Sequence, residues 1–193
     1  MDLGKLGEDS LSQFIKTFKR LLVNDKRKFD IIIGAGDSGQ IMIYLTRLVY
    51  ELLKVDCPQT VVAPIYRHAD EKEAILFDNS TLAGDFQNIS LLNIKDILFV
   101  DDEIGSGNAA KGVLDLLLAL FKKPIEEKIY TIIAEDGGFD PRGIQVSNIK
   151  IEFIPTKKRV EEVYNAISYI VPEEYEQPIR NVLQENIKDL NKS

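Results

Sequence analysis

The stretch Ile97-Leu98-Phe99-Val100-Asp101-Asp102-Glu103-Ile104-Gly105-Ser106-Gly107-Asn108 constrains this chain more than any other. Four apolar residues bounded by polar ones fit a short strand buried on both faces, and the apolar run from Val113 to Phe121 fits a helix packed on the same sheet. Strand, loop and helix in that order belong to an open α/β sheet, where such loops lie at the carboxyl ends of the strands and line the ligand crevice. Three consecutive carboxylates followed by Gly-Ser-Gly ask for a ligand with two kinds of polar group. The carboxylates accept hydrogen bonds from hydroxyls or bind a metal, and the free N–H groups of a helix N-terminus receive an anion. A sugar phosphate carries both.

The rest of the chain repeats the unit. Phe29 to Ile33 is a strand, followed by Gly34-Ala35-Gly36-Asp37-Ser38-Gly39 and a helical run over about 40–54. Thr60 to Tyr66 reads as a second strand, with Pro64 near its end, where a missing N–H matters least. Ile129 to Ala134 and Ile149 to Ile154 supply two more, joined by a loop over 135–143 that carries Asp136 and Arg142. Ser10 and Gln13 form a capping box for an amphipathic helix over 10–24. Beyond Pro155 come a helical stretch over 160–170 and a second one with Tyr175, Ile179, Val182, Leu183, Ile187 and Leu190 at helical spacing. Residues 67–95 are the segment of weakest pattern, which fits a hairpin or mobile flap. The expectation is a single α/β domain over 1–193, a Rossmann-like open parallel sheet flanked by helices. Its core spans about 29–154 and its flap about 67–93, with an appendage from the terminal segments, the N-terminal helix and residues 155–193.

A net charge of −7 argues against a broad nucleic-acid surface, which needs clustered Lys and Arg. With 45% hydrophobic and 28% charged residues and no long polar tract, the chain is expected to fold on its own core. Its apolar stretches fall short of the ~20 residues that cross a bilayer. The N-terminus lacks a basic-then-apolar signal pattern, and a lone cysteine, Cys57, fits a reducing compartment. These features point to a cytoplasmic protein without membrane contact. Cys57 and the lone histidine, His68, are expected to carry no chemistry.

The segment Gly34 to Gly39 satisfies the G-x-G-x-x-G spacing of dinucleotide-binding proteins. The acidic residue expected at the end of the second strand is missing there: the strand ends in Tyr66-Arg67-His68, and Asp70 comes later. A Rossmann dinucleotide-binding protein is therefore a lesser alternative. Residues 97–103 alone also resemble the first strand and acidic pocket of a response-regulator receiver domain, but the Gly-Ser-Gly loop and the strands before residue 97 do not fit that arrangement.

Read whole, Val100-Asp101-Asp102-Glu103-Ile104-Gly105-Ser106-Gly107-Asn108 resembles the phosphoribosyl-pyrophosphate motif of type I phosphoribosyltransferases. The resemblance implies a Mg²⁺-dependent transfer of ribose-5-phosphate to a nitrogenous base with release of pyrophosphate. It implies that Asp101 and Asp102 act at the ribose hydroxyls and that Glu103, Ile104, Gly105, Ser106, Gly107, Asn108 and Ala109 form the ribose-5-phosphate loop. Ala35, Gly36, Asp37, Ser38 and Gly39 would form the pyrophosphate loop, Arg67 and Lys72 would be flap cations, and Asp37 would hold Mg²⁺ through water. A homodimer and a hood from the terminal segments also follow from the resemblance. Three positions depart from the family pattern. Asp37 is acidic where several members carry a basic residue, Ala109 replaces a common threonine, and Gly105 stands where 6-oxopurine transferases carry an aspartate that handles the base. The departures at Asp37 and Gly105 keep a non-catalytic, ligand-sensing regulator on the same fold as an alternative.

Overall fold

The structure, a computed structural model, describes residues 4–63, 65–67, 74–76, 94–120, 127–156 and 173–190. In chain order it has α1 (Gly4–Lys19), continued by a π-helical turn (Arg20–Asn24), then β1 (Ile31–Ala35), α2 (Gly36–Leu53) and β2 (Gln59–Ala63). After these come β3 (Ile65–Arg67), β4 (Ala74–Leu76), β5 (Asp96–Ile104) and α3 (Asn108–Leu120). The remaining elements are β6 (Lys128–Asp136), a 3₁₀ turn (Pro141–Gly143), β7 (Ile149–Thr156) and α4 (Glu173–Leu190).

Five strands form one sheet of order β2-β1-β5-β6-β7, and every pair in it is parallel. All five residues of β1 are buried, as are Ile97 to Val100 of β5, so both faces of the sheet need cover. On one face Ile32, Leu98, Val100 and Ile133 pack beneath α1, α2 and α4. On the other, Ile33, Ile97, Phe99, Tyr130 and Ile132 pack with Val113, Leu114 and Leu117 of α3. Burying each such aliphatic side chain contributes roughly 1.5–3 kcal/mol, which makes the two clusters the main source of stability. The fold class is thus α/β, as expected. The terminal segments add a layer beside α2: Ser12 Oγ donates to Asn186 Oδ1 at 2.6 Å, and Arg180 Nη1 pairs with Glu51 Oε1 at 2.8 Å.

Several boundaries differ from the sequence reading. Helix α1 begins at Gly4, so Ser10 lies inside it and its capping box serves no helix end; the helical ladder bonds the N–H groups that the box would have satisfied. The expected strand 60–66 is two strands. β2 stays at the sheet edge, Pro64 intervenes, and β3 pairs antiparallel with β4, Ile65 opposite Leu76 and Arg67 opposite Ala74. The hairpin expected after residue 67 therefore starts at Ile65. His68, Asp70, Lys72, residues 77–93 of the flap and the helical stretch 160–170 lie outside the described residues. β5 runs on through the acids to Ile104, so Asp101, Asp102 and Glu103 sit on a strand, not in a loop. α3 begins at Asn108, before the apolar run, because its first turn closes when Lys111 N–H donates to the Gly107 carbonyl at 2.8 Å.

β1 has β2 on one side and β5 on the other, so the chain leaving β1 and the chain leaving β5 diverge at this point of the sheet. In open α/β sheets such a switch point opens the crevice where ligands bind. The two stretches singled out in the sequence flank it.

Candidate functional site

The β1 side of the crevice has no loop. Ala35 ends the strand in extended geometry (φ −118°, ψ 130°), and the chain enters α2 at once through Gly36 at φ 58°. Gly36, Asp37, Ser38 and Gly39, read from their composition as a loop, are the first turn of the helix. The glycines allow it. An ideal Cβ on Gly34 would lie 2.7 Å from the Gly39 carbonyl carbon, and one on Gly39 would lie 2.5 Å from that of Gly34, so only two bare backbones can approach this closely. The G-x-G-x-x-G spacing here serves helix-on-strand packing. Ala35 gives α2 no side-chain cap, which leaves its leading N–H groups to the crevice.

The β5 side is shaped by a bulge. Val100 pairs with Ile133 and Glu103 with Glu135, so Asp101 and Asp102 together face the single residue Ala134. The extra residue switches the side-chain alternation: Ile97, Phe99 and Ile104 all enter the same core cluster, which strict alternation would forbid. Asp101 is 7% exposed, whereas Asp102 is partly exposed. Ser38 Oγ–H and the Asp102 N–H each donate to Asp101 Oδ1 at 3.0 Å. Burial, and then the neighbouring Asp102 charge, push the Asp101 carboxyl well above the usual aspartate range, against the opposing pull of the Ser38 hydroxyl. Tyr130, fully buried, stacks on Phe99 with ring centroids 6.1 Å apart and donates its Oη–H to the Ala110 carbonyl at 2.9 Å. Burial and the Asp101 charge raise that phenol as well.

Beyond the bulge the small-residue loop is divided. Gly105 and Ser106 are exposed, and a Cβ on Gly105 would meet only the Gly137 carbonyl oxygen, 3.9 Å away. Gly107 is buried at φ 78°, and a Cβ there would lie 2.5 Å from the Phe139 ring. Asn108 and Ala109 open α3 and are partly buried. Ile104 is a core side chain whose carbonyl accepts from the Gly137 N–H at 2.9 Å. The Glu103 side chain lies over Gly137, toward the β6–β7 loop.

In that loop Asp136 Oδ1 accepts from the N–H groups of Gly138 (2.9 Å) and Phe139 (3.0 Å), and Asp140 pairs with the Arg142 guanidinium at 2.8 Å. The Arg142 partner holds the Asp140 carboxyl below its usual range. Asp136 and Arg142 are therefore engaged in shaping the loop. Two clefts lie away from the acids. One of about 510 Å³ runs between α2 and β2 and includes Tyr44, Arg47 and Thr60; the other, about 640 Å³, flanks β7 and includes Arg142, Gln145 and Ile151.

The fold brings together Ser38, Asp101 and Asp102 from stretches far apart in sequence, with Gly105 to Asn108 next to them on the chain. Arg67 ends β3, and Lys72 lies outside the described residues. Among the described residues no three His, Cys, Asp or Glu side chains cluster as a metal site. The sequence carries no signal for Tyr130 beyond a hydroxyl inside a mostly apolar strand, where the neighbouring Thr131 carries one too. Cys57 is exposed, in the stretch between α2 and β2. Among the described residues no helix is long and apolar enough to cross a membrane.

No protein-family model matches the chain, and no curated protein matches it. Solved structures do. One is a Helicobacter pylori xanthine-guanine-hypoxanthine phosphoribosyltransferase at 12% identity, covering 78% of this chain and 83% of that one, with a TM-score of 0.40. Another is a hypothetical protein from Neisseria gonorrhoeae with bound ppGpp at 16% identity, covering 76% and 82%, with a TM-score of 0.39. At such scores the likeness is one of outline and carries no chemistry to this chain.

Proposed function

We propose that the chain binds phosphoribosyl pyrophosphate in the crevice between β1 and β5 and transfers its ribose-5-phosphate group to a nitrogenous base. The observation that carries this reading is the 3.0 Å hydrogen bond from Ser38 to Asp101. It sets an uncapped helix N-terminus beside an acidic bulge, and the bulge leads straight into a small-residue turn and a second helix N-terminus. A ligand that suits all three parts has hydroxyls in the middle and a phosphate group at each end.

In the proposed reaction a ring nitrogen of the base attacks the anomeric carbon. The bond from that carbon to the pyrophosphate oxygen breaks, and its electron pair leaves with pyrophosphate. Positive charge develops on the sugar, where the Asp102 carboxylate stands, and negative charge on the departing group, which meets the N–H groups of Gly36 to Gly39. The N–H groups of Gly105 to Asn108 hold the 5-phosphate throughout. Mg²⁺ takes one or two carboxylates and draws its other ligands from phosphate and water, which the Asp102 carboxylate beside a diphosphate would suit. Asp102, with Asp37 through water, would hold it. When bound, the ion would offset the pyrophosphate charge.

Gly105 gives an incoming base no proton acceptor, and this favours a second reading, a ligand-sensing regulator that binds the same sugar phosphate without turnover. Pyrophosphate release, measured with protein, Mg²⁺, phosphoribosyl pyrophosphate and a panel of bases, separates the two. Release with one base supports transfer, binding without release for any base supports the regulator, and absence of binding sinks both. Selective thermal stabilisation by NAD(P) or FAD in a parallel assay would revive the dinucleotide alternative.

A further inference from the structure

Asp101 and Asp102 are neighbours in sequence but not equivalents in the fold. Asp101 is buried and its Oδ1 accepts from Ser38 Oγ–H and the Asp102 N–H. Ser38 lies in the first turn of α2, a turn that Ala35 cannot cap. Beside Asp101, Tyr130 holds the Ala110 carbonyl in the first turn of α3. The bulge makes this placement possible, since its extra residue lets one acid lie under the helices while the next remains partly exposed.

We infer that Asp101 is a positioning residue, a latch between the first turn of α2 and the Asp102 carboxylate, and that Asp102 alone of the pair presents its carboxylate to sugar hydroxyls. The second half rests on the function proposed above; the first half needs no ligand. Ser38 Oγ–H and the Asp102 N–H converge on one Asp101 oxygen, so the latch is an acceptor and needs no charge. Asparagine at position 101 keeps a carbonyl oxygen that can accept both bonds.

The experiment compares Asp101→Asn, Asp101→Ala, Ser38→Ala and Asp102→Asn in the full chain. Hydrogen exchange of the Gln40 to Ile43 amides without ligand, which bond back to the carbonyls of the first turn of α2, reads the latch, and calorimetric titration with Mg²⁺ and phosphoribosyl pyrophosphate reads the ligand contact. Asp101→Ala and Ser38→Ala are expected to speed that exchange by about tenfold, the effect of one lost hydrogen bond, and the double variant no more than either alone. Asp101→Asn is expected to keep wild-type exchange and lose no more than about threefold in affinity, while Asp102→Asn keeps exchange and loses about tenfold or more, as expected for a hydrogen bond to a charged group. Asp101→Asn weakening the ligand as much as Asp102→Asn would make Asp101 a ligand contact and overturn the inference. Unchanged exchange in Ser38→Ala, which removes only a hydroxyl and keeps the fold within reach, would deny the latch. If the wild type binds no phosphoribosyl pyrophosphate, the functional reading fails while exchange still decides the latch.

Discussion

The two strand-to-helix junctions that flank the crevice solve one problem in different ways. At the end of β1 the helix starts at once, and Gly34 and Gly39 are bare because the helix lies directly on its own strand. At the end of β5 a bulge and a short bend intervene, and only Gly107 of the glycines there is required, by its φ of 78° and by the Phe139 ring against it. A Cβ on Gly105 would make only one ordinary contact. The glycines of the first junction thus have a structural duty, whereas in the second Gly107 has one and Gly105 has none. Similar letters do not imply similar constraint.

The difference breaks first at Gly34. Gly34→Ala drives a methyl group into the Gly39 backbone, which cannot swing aside, and is expected to cost about 3 kcal/mol or more in urea unfolding. A loss below about 1 kcal/mol, the lower end for overpacking, would mean that the helix can lift off the strand. Gly107→Ala is expected to cost about 2 kcal/mol, from the left-handed backbone and the Phe139 ring against the new methyl group. Gly105→Ala is expected to change stability by no more than about 0.5 kcal/mol, as for an unconstrained surface position. Equal costs at 105 and 107 would erase the contrast within the second junction.

An effect of pH comes from Asp101. Its carboxyl titrates above its ordinary value of 3.8 in the folded chain, so the fold binds that proton more tightly than the unfolded chain does. The stability this contributes is complete below pH 3.8 and is lost as the pH rises through the elevated value. Asp101→Asn removes the titration. Its melting temperature relative to wild type is therefore expected to rise from pH 4 to pH 8. Parallel curves across that range would show that Asp101 stays charged in the fold.

Much of the frame was legible in the sequence because apolar runs bounded by polar residues report burial directly. Phe29 to Ile33, Ile97 to Val100, Ile129 to Ala134 and Ile149 to Ile154 each mark a strand of the sheet. Boundaries were harder. Asp101 and Asp102 end an apolar run and read as a loop, yet the ladder to β6 continues past them by admitting a bulge that no local pattern announces. Gly34 to Gly39 reads as a loop from its composition, and only the approach of two backbones explains why it is a strand end and a helical turn. Pro64 was read as tolerated at a strand end, whereas the chain changes sheets there. The Ser38–Asp101 contact spans 63 positions and involves residues common in any loop, so only the tertiary fold could reveal it.

The most direct test of the proposed phosphoribosyl pyrophosphate site is calorimetric titration of that ligand, with Mg²⁺, into the wild type and Asp102→Asn. The account predicts saturable binding to the wild type and an affinity weakened about tenfold or more in the variant, with an unchanged melting temperature, because a carboxylate facing hydroxyls is removed from a partly exposed position. No binding by the wild type, or equal binding by both proteins, would contradict it.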